Sequence, residues 1–357
     1  MTGLLYSEVE SDLRGELRAM LRQHCDPAAR VDRDEPVDVD LWRRLAGDMG
    51  LAGLLVPEEL GGAGAGPREA AVVLEELGRA VAPVPYLGCA VVAGTALLSC
   101  GEPDLLAGLA AGERPVALAV PFATAPADAW SPRVSAAGDR LTGSVPAVAD
   151  AITAEVLLVP AGRGLFAVDS AGVRREQRTS LDETRRLCDL SFDGAPGRLV
   201  AEGADAEAAV RAAVLAGAAL LASEQVGVAE WCLDTTVEYA RGRYQFGRPI
   251  GSFQAVKHRL ADVWVAVTQA RAVARYAASA LAEQSDVEVA AALAQAHCSG
   301  VAVEAAEACV QLHGGIGMTW EHPAHLYLKR ARSAAVAYGP ADVHRARLAE
   351  LVDLPPA

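Results

Sequence analysis

The residues best suited to chemistry lie in the stretch RGRYQFGRPIGSFQ, residues 241–254, which combines arginines, phenylalanines and glutamines around a glycine–proline turn. Arginine carries a planar, permanently charged fork that binds phosphate or carboxylate groups. The same residues also suit the end of a helix, because basic side chains favour the negative end of the helix dipole and glycine and proline often follow the last turn. The stretch therefore predicts either an anion-binding helix end or a purely structural one.

A second stretch with chemical potential is CVQLHGGIGMTWEHP, residues 309–323. Gln311 closes a helical pattern, and the glycines after it let the backbone turn tightly or approach a ligand closely. His313, His322 and His325 could be metal ligands, but His322 and His325 flank a proline and no carboxylate cluster accompanies them. We therefore predict no metal site. Taken alone, the segment is typical of a helix end with a glycine cap.

Long helices must position both stretches. Apolar residues recur with helical spacing over 205–242, 254–284, 287–313 and 322–351, the last of which forms one or two helices. Short links between long helices favour an antiparallel bundle. We therefore predict a C-terminal four-helix bundle over residues 201–357, with both stretches at helix ends.

The preceding residues divide into two regions. Helical periodicity broken by turns runs through residues 1–115, and the Gly-rich loop within it lacks the GxGxxG and GK[ST] patterns, so we interpret it as a structural turn. From 116 to 200, short apolar or alternating runs separated by Gly, Pro and Asp indicate a small antiparallel β-domain. The predicted fold class is therefore α+β, mostly α, with an N-terminal helical domain, a middle antiparallel β-domain and a C-terminal four-helix bundle.

Composition and charge narrow the classes of function. The 357 residues carry a formal net charge of −14, which gives no electrostatic footprint for nucleic acid. The acidic N-terminus does not resemble a signal peptide, and polar residues interrupt the most apolar run, so we expect a cytoplasmic protein without a membrane span. The seven cysteines form no CxxC pair, which favours a reducing compartment with most of them as small buried apolar residues.

Together, the two stretches resemble the signatures of the acyl-CoA dehydrogenase family. RYQFGRPIGSFQAVKHRLAD and QLHGGIGMTWEHP are similar to that family's two C-terminal signatures in order and separation, and VPEELGGAG is similar to its N-terminal loop. In the family, these signatures reach across a dimer interface and hold the pyrophosphate and adenine end of FAD, which the neighbouring subunit mainly binds. The resemblance therefore implies that the FAD-binding residues are Arg243, Phe246, Gln254, Gln311, Gly314 and Gly315.

The resemblance also implies a desaturation of an acyl-CoA thioester, in which a carboxylate removes the α-proton while the β-hydride passes to FAD. Most family members carry this base as a Glu directly after a tyrosine, but here Gly339 follows Tyr338. A minority carry it on the long helix before the first signature, at or beside Gly217. Both customary positions therefore lack an acid. Asp342 and Glu224 remain as nearby candidates, although each is also well explained as a structural or surface charge.

The middle region departs from the family as well. The family's Thr-Glu-Pro…Gly-Ser loop is missing from LAVPFATAPADAWSP, and Val145, Pro146 and Ala147 replace a Trp-Ile-Thr run that stacks on the flavin. The resemblance thus implies an intact site for the adenine end of FAD and a degraded site for the flavin ring. Such asymmetry suits a chain that complements a second subunit. The chain most resembles subunits of the family's heterotetrameric enzymes from bacterial degradation of steroid side chains.

The sequence therefore predicts a subunit of an FAD-dependent acyl-CoA dehydrogenase that clamps the adenine and pyrophosphate while a second acyl-CoA dehydrogenase-like subunit supplies the base. The implied partners also include an acyl-CoA substrate and an electron-transfer acceptor. One alternative is a self-sufficient homo-oligomer that uses Asp342 or Glu224 as its base. A second alternative is a scaffold or binding protein of the same fold without flavin, although the two retained stretches argue against it.

Overall fold

The structure is a computed structural model of the chain, and it describes residues 4–33, 35 and 37–354. Its elements follow the predicted order of helices, then strands, then helices. The N-terminal part is helical, with π-helical segments at Arg44–Asp48 and Leu87–Ala93. Its α-helices are α1 (Glu8–His24), α2 (Pro27–Asp32), α3 (Val39–Arg43), α4 (Pro67–Arg79), α5 (Gly94–Cys100) and α6 (Pro103–Ala110).

Local chemistry sets where these helices begin. Ser7 Oγ accepts a hydrogen bond from the Glu10 N–H at 3.1 Å, and the Glu10 carboxylate accepts one from the Ser7 N–H at 2.6 Å, which makes a capping box for α1. Proline opens α2, α4 and α6, where its missing N–H costs no intrahelical bond. The Gly-rich loop packs tightly, since a Cβ on Gly62 would lie 2.1 Å from Val56 O. Packing therefore requires glycine at this turn.

The middle part is a small sheet that closes on itself. Its strands are β1 (Val116–Leu118), β2 (Val134–Ala137), β3 (Arg140–Ala149), β4 (Val156–Ala161), β5 (Gly164–Asp169), β6 (Arg174–Gln177) and β7 (Leu187–Glu202). β4 pairs with β2 and β5, β3 pairs with β2 and β7, and β5 pairs with β7, which completes a ring of strands. β1 joins the ring at β4, and β6 joins it at β7.

The sheet is mixed, whereas the sequence predicts an antiparallel one. β4 runs parallel to β1 and to β2, and the remaining pairings of this sheet are antiparallel. Because β3 returns the chain antiparallel to β2, β4 enters the sheet in the same direction as β2. An alternating pattern predicts a strand but not the direction of its neighbour, since both arrangements have a period of two.

The C-terminal part is a helical bundle. Its α-helices are α7 (Ala204–Gly242), α8 (Gln254–Glu283), α9 (Val287–His313), α10 (Ala324–Ala334) and α11 (Ala341–Leu351), and a hairpin of β8 (Tyr244–Gln245) and β9 (Arg248–Pro249) joins α7 to α8. α7 and α9, the latter with the turn after it, are long and apolar enough to cross a membrane. Their apolar windows are 89% and 67% buried inside the structure, which identifies both as core helices.

Glycines let the N-terminal part pack directly on α7. A Cβ on Gly78 of α4 would lie 2.1 Å from Glu224 O, and a Cβ on Gly227 of α7 would lie 1.9 Å from Glu75 O. The two helices therefore cross backbone to backbone at the level of Glu224. This crossing fixes the depth at which the Glu224 side chain lies in the molecule.

Candidate functional site

The stretch at 241–254 forms the β8–β9 hairpin at the end of α7, and Arg243 is the C-cap residue of that helix. Phe246 and Gly247 make its two-residue turn, with φ of 53° and 74°, as in a type I′ turn. A phenylalanine is strained in this left-handed conformation. Phe246 is 93% exposed, so burial of its ring against the described chain does not offset the strain.

The second stretch begins in the last turn of α9, where Gln311 is exposed. Gly314 has φ of 64° and ψ of −138°, a conformation that suits glycine. A Cβ on Gly317 would lie 2.5 Å from Val310 O, so packing requires glycine there too. Gly315 differs, because a Cβ on it would have no heavy atom of the described chain within 4 Å. Nothing within the described residues therefore requires glycine at position 315.

The structure brings the two stretches to one end of the bundle. The ring of Tyr239, one turn before Arg243, stacks on His313 with their centroids 4.4 Å apart, and His313 ends α9. Gln254 opens α8 directly after the hairpin. We call residues 243–254 and 311–320 the hairpin end. The clamp residues expected from the resemblance all lie there and are exposed: Arg243, Phe246, Gln254, Gln311, Gly314 and Gly315.

The histidines of the second stretch make contacts within the fold. The rings of His313 and His322 lie 4.2 Å apart between centroids, whereas the ring of His325 packs edge-on against Trp320 at 4.6 Å. His313 Nδ1 lies 2.7 Å from the backbone oxygen of Cys309. In the ranges that the structure describes, no group of three or more His, Cys, Asp and Glu residues could hold a metal ion.

The two customary base positions, Gly217 and Gly339, both lie next to Tyr338. A Cβ on Gly217 of α7 would lie 2.9 Å from Tyr338 Cζ and 2.8 Å from Val92 Cγ2. Gly339 has φ of 100°, and a Cβ on it would lie 3.0 Å from Ala125 Cβ. A side chain at either glycine would therefore displace packed atoms, because the tyrosine and its neighbours already fill the space.

Residues of the middle part hold Tyr338 in place. Its N–H donates to Phe122 O at 2.8 Å, and the two rings meet edge-on with centroids 5.4 Å apart. The Phe122 N–H in turn donates to Ala147 O at 2.9 Å. Ala147, with φ of 53°, lies where the pairing of β3 with β7 shifts register, in the run that departs from the family. At this irregularity, β3 therefore contacts the segment 119–125 through a backbone hydrogen bond.

We call residues 119–125, 145–147 and 338–339 the closed side. The cavity that remains there has a volume of about 220 Å³ and is lined by residues including Val120, Thr124, Val145 and Gly339. Sites for small molecules and cofactors usually measure about 300–1,000 Å³. The remaining space is therefore smaller than is usual for a site that holds a cofactor and a substrate together.

Glu224 lies fully buried between two arginines. Its carboxylate is 2.5 Å from Arg185 Nη2 and 3.1 Å from Arg330 Nη1, and Arg330 also lies 2.9 Å from Asp182. Burial alone would raise the pKa of Glu224, but the two guanidinium groups outweigh burial and hold that pKa below its ordinary value. The carboxylate thus ties α7 to α10 and to the loop before β7.

The other candidate base, Asp342, lies in the first turn of α11 and is exposed, where a carboxylate favours the positive end of the helix dipole. The sequence does not point to a third carboxylate, Asp150, because it resembles an ordinary turn residue after a strand. Its Oδ2 accepts a hydrogen bond from the Gly88 N–H at 3.0 Å. Burial raises its pKa, although the nearby Arg185 opposes that shift.

These features define a helical, barrel and helical-bundle protein with a glycine-rich turn and an arginine hairpin at one end of the bundle. The chain belongs to the acyl-CoA dehydrogenase family, as the resemblance predicts. Residues 7–113 match the acyl-CoA dehydrogenase N-terminal domain, and residues 208–352 match the C-terminal domain. The match also confirms the predicted α+β fold class with its order of a helical domain, a β-domain and a helical bundle, and members of the family bind FAD.

The chain is similar to several individual members of the family. The chain is similar to acyl-CoA dehydrogenase IpdE2 of Mycolicibacterium smegmatis, with 37% identity over 337 residues that cover 94% of this chain and 96% of the relative. It is also similar to a chain of the ChsE4–ChsE5 complex from Mycobacterium tuberculosis, with 31% identity, a TM-score of 0.87 and 100% coverage of both chains. The Tcur3481–Tcur3483 steroid ACAD gives 32% identity and a TM-score of 0.85, with 97% of this chain and 98% of that chain covered.

Proposed function

We propose that the chain is the flavin-clamping subunit of a hetero-oligomeric acyl-CoA dehydrogenase, and that a second chain of the same family supplies the catalytic base. When bound, FAD accepts the hydride that leaves the β-carbon of the acyl thioester. This chain holds the adenine and pyrophosphate end of that FAD, whose ring lies in the partner. The observation that carries the proposal is the contrast, within one chain, between an exposed hairpin end and a closed side.

The hairpin end fits the adenine and pyrophosphate half of FAD. Arg243 is exposed at the end of α7 and offers a charged fork that matches a pyrophosphate. Arg241 and Arg248 add positive charge beside it in a chain whose net charge is −14. The amides of Gln254 and Gln311 supply further hydrogen-bonding groups on the same surface.

Phe246 and Gly315 support a ligand outside this chain. The strained turn presents the ring of Phe246 to solvent, and contact with the adenine would offset that strain. Gly315 leaves open space that no part of the described chain uses, so a glycine there suits close approach by another molecule. Both features fit a flavin that arrives with a partner subunit.

The closed side does not fit the flavin ring. Phe122 and Tyr338 occupy the space between the β-domain and the bundle, and the remaining cavity of about 220 Å³ is small. Glu224 is engaged by two arginines that disfavour its protonation, so it does not suit a group that must accept the α-proton. We therefore assign the base and the ring-binding residues to the partner.

The substrate class follows from the relatives. IpdE2 is named as an acyl-CoA dehydrogenase, and the Tcur3481–Tcur3483 pair is described as a steroid ACAD. We propose an acyl-CoA thioester with a steroid-derived or similarly bulky acyl group as substrate, and an electron-transfer acceptor that reoxidises the flavin. The ChsE4–ChsE5 complex gives the precedent for two unlike chains in one assembly.

The first test is a visible absorption spectrum and a native mass of the chain purified alone and co-expressed with a second acyl-CoA dehydrogenase-like chain from the same genome. We expect flavin absorbance only in the co-expressed complex, with about one flavin per pair of chains. A yellow homo-oligomer of this chain alone would overturn the proposal and favour a self-sufficient enzyme.

A substitution then tests the clamp itself. We expect Arg243→Ala in the co-expressed complex to weaken flavin binding by about tenfold or more, because it removes a charge-assisted contact worth about 1.5–3 kcal/mol. Arg211→Ala is the matched control, since Arg211 lies on the same helix, is exposed and pairs only with Glu207 among the contacts described. Equal flavin affinity of the two variants would contradict a role for Arg243.

A further inference from the structure

Two cysteines are hydrogen-bonded to each other in the core of the bundle. Cys232 of α7 and Cys309 of α9 are 0% and 1% exposed, and both are free thiols. The Cys232 thiol donates a hydrogen bond to Cys309 Sγ across the two packed helices. The sequence does not reveal this pair, because the two cysteines are far apart along the chain and neither belongs to a CxxC motif.

His313 joins the pair from the next turn of α9. Its Nδ1 lies 3.6 Å from Cys309 Sγ and 2.7 Å from Cys309 O, so Nδ1 carries the proton that the carbonyl oxygen accepts. Its Nε2 is buried and has no hydrogen-bond partner in the described part of the chain. The imidazole therefore has a free position for a second proton. Burial alone would lower the pKa of His313, but its hydrogen bonds to Cys309 outweigh burial and raise that pKa.

The two sulfur atoms differ in charge. The hydrogen bond from Cys232 lowers the pKa of Cys309 to about 5, and hydrogen bonds from His313 and Thr236 add to this shift, whereas burial opposes it. Burial and the hydrogen bond to Cys309 raise the pKa of Cys232 well above its ordinary value. Near neutral pH, Cys309 is therefore a thiolate and Cys232 a thiol. An oxidisable dithiol needs this combination, because the thiolate is the nucleophile and a second thiol completes the disulfide.

Cys298 shows that burial on α9 does not by itself produce a thiolate. It is 1% exposed, like Cys309, and its Sγ donates to Ala270 O at 3.4 Å. A backbone carbonyl oxygen does not stabilise a thiolate, and burial raises the pKa of Cys298 to about 12. The contacts of Cys309, rather than its depth, therefore distinguish it from Cys298.

A small oxidant has a short route to the pair. His313 ends α9, and Gly314 and Gly315 after it are exposed. A Cβ on either glycine would meet no heavy atom of the described chain within 4 Å. One helical turn, about 6 Å, separates Cys309 from His313. Hydrogen peroxide is uncharged and only slightly larger than water, so its entry needs a smaller local opening of this helix end than the entry of an alkylating reagent.

We propose that Cys309 and Cys232 form a peroxide-reactive dithiol, in which His313 and the Cys232 thiol activate Cys309. The Cys309 thiolate attacks one oxygen of hydrogen peroxide, the O–O bond breaks, and the leaving hydroxide takes up the proton that Cys309 released. This step gives a sulfenic acid and water. Cys232 Sγ then displaces the hydroxyl group, and the S–S bond forms with loss of a second water. Two thiols thus lose two electrons, and one peroxide is reduced to two waters.

The reaction uses none of the proposed clamp residues, so it can be tested on the chain alone. The folded chain is treated with hydrogen peroxide, the peroxide is removed with catalase, and the remaining thiols are alkylated after denaturation. Peptide mapping by mass spectrometry then follows each cysteine. We expect a linked peptide of Cys232 and Cys309 that forms about tenfold faster, or more, than the Cys298 thiol is lost. Loss of both thiols at the Cys298 rate, or an oxidised Cys309 without linkage, would overturn the proposal.

Variants assign the individual roles. Cys232→Ser keeps a hydrogen-bond donor beside Cys309 and removes the second thiol, so oxidation should stop at a sulfenic acid that dimedone traps on Cys309. Absence of that adduct would contradict Cys309 as the attacking sulfur. His313→Gln should slow the oxidation of Cys309 by about tenfold, whereas Cys298→Ser, the matched control on the same helix, should leave the rate unchanged. Equal rates in these two variants would contradict activation by His313.

Discussion

The hairpin end and the closed side each contain an aromatic residue with φ of 53°, but the two side chains differ in burial. Tyr338 on the closed side is buried, its N–H donates to Phe122, and its carbonyl oxygen lies 2.9 Å from His344 Nε2. Phe246 on the hairpin end projects into solvent. Packing and hydrogen bonds therefore offset the backbone strain at Tyr338. The exposed Phe246 ring has an edge-on contact with the Phe253 ring, with centroids 6.3 Å apart, and this contact buries little of it.

This difference in burial indicates that backbone strain has a different role at each of the two residues. At Tyr338, strain is a consequence of closing a space, because the ring fills the room between Gly217 and Phe122. At Phe246, strain presents a ring to whatever approaches from outside. A strained and exposed aromatic residue thus points to a ligand or partner, and a strained and buried one points to packing.

Replacing each of these residues by glycine tests the contrast with the largest expected effect. Tyr338→Gly should destabilise the chain by about 3–5 kcal/mol, because a buried ring is lost. Phe246→Gly should stabilise the isolated chain by about 1 kcal/mol, because it relieves the strain of the turn, and should weaken flavin binding in the complex. Denaturant unfolding of the chain alone, with flavin titration of the complex, measures both. A loss of stability in Phe246→Gly would show that its ring serves the fold.

The second prediction concerns the ion pairs beside the closed side. Glu224→Gln should destabilise the chain by about 3 kcal/mol near neutral pH, since it leaves Arg185 and Arg330 without their shared carboxylate. Glu304→Gln is the control, because its pair with Arg259 is half exposed and should contribute less than about 1 kcal/mol. A stable Glu224→Gln variant whose complex has lost turnover would instead identify Glu224 as a base.

The sign of the pH dependence sharpens this prediction. The folded-state pKa of Glu224 lies below its ordinary value, so its ion pairs contribute fully above the unfolded pKa of about 4.3. That contribution is lost as pH falls through the folded pKa, and the gap between wild type and Glu224→Gln should narrow below about pH 4. Burial raises the pKa of Asp150, so Asp150→Asn should gain stability relative to wild type as pH rises above about 4.

The sequence predicts the hairpin end far better than the closed side. The bounds of α8, predicted as 254–284 and observed as Gln254–Glu283, follow from local periodicity and turn residues. The clamp residues likewise lie within two short stretches. By contrast, Phe122, Arg185 and Tyr338 come from three distant segments, and no pattern along the chain reveals that they meet. Contacts set by tertiary packing, like the direction of β4, are not encoded in the period of one segment.

The third prediction compares two glycines in long helices. Gly217→Ala should destabilise the chain by about 1–3 kcal/mol, because its Cβ would overlap Tyr338 and Val92. Gly300→Ala in α9 should stabilise it by about 0.5–1 kcal/mol, because a Cβ there meets no heavy atom within 4 Å and alanine favours the helix. Thermal unfolding of the two variants measures both changes in stability. Equal effects would mean that the space at Gly217 is not closed.

The smallest effect on stability is expected at the hairpin end, where Gly315→Ala should change the free energy of unfolding by less than about 0.5 kcal/mol. Its Cβ would enter open space, and the backbone φ of Gly315 is not in the left-handed region. The substitution should therefore cause neither steric overlap nor backbone strain in the chain alone. In the complex, the same methyl group would stand where the flavin approaches. We expect flavin affinity to fall by about fivefold, or ~1 kcal/mol, with the association of the two chains unchanged. If affinity and stability both stay at wild-type values, Gly315 is open because nothing approaches it, and the clamp must end at Gln311 and Gly314.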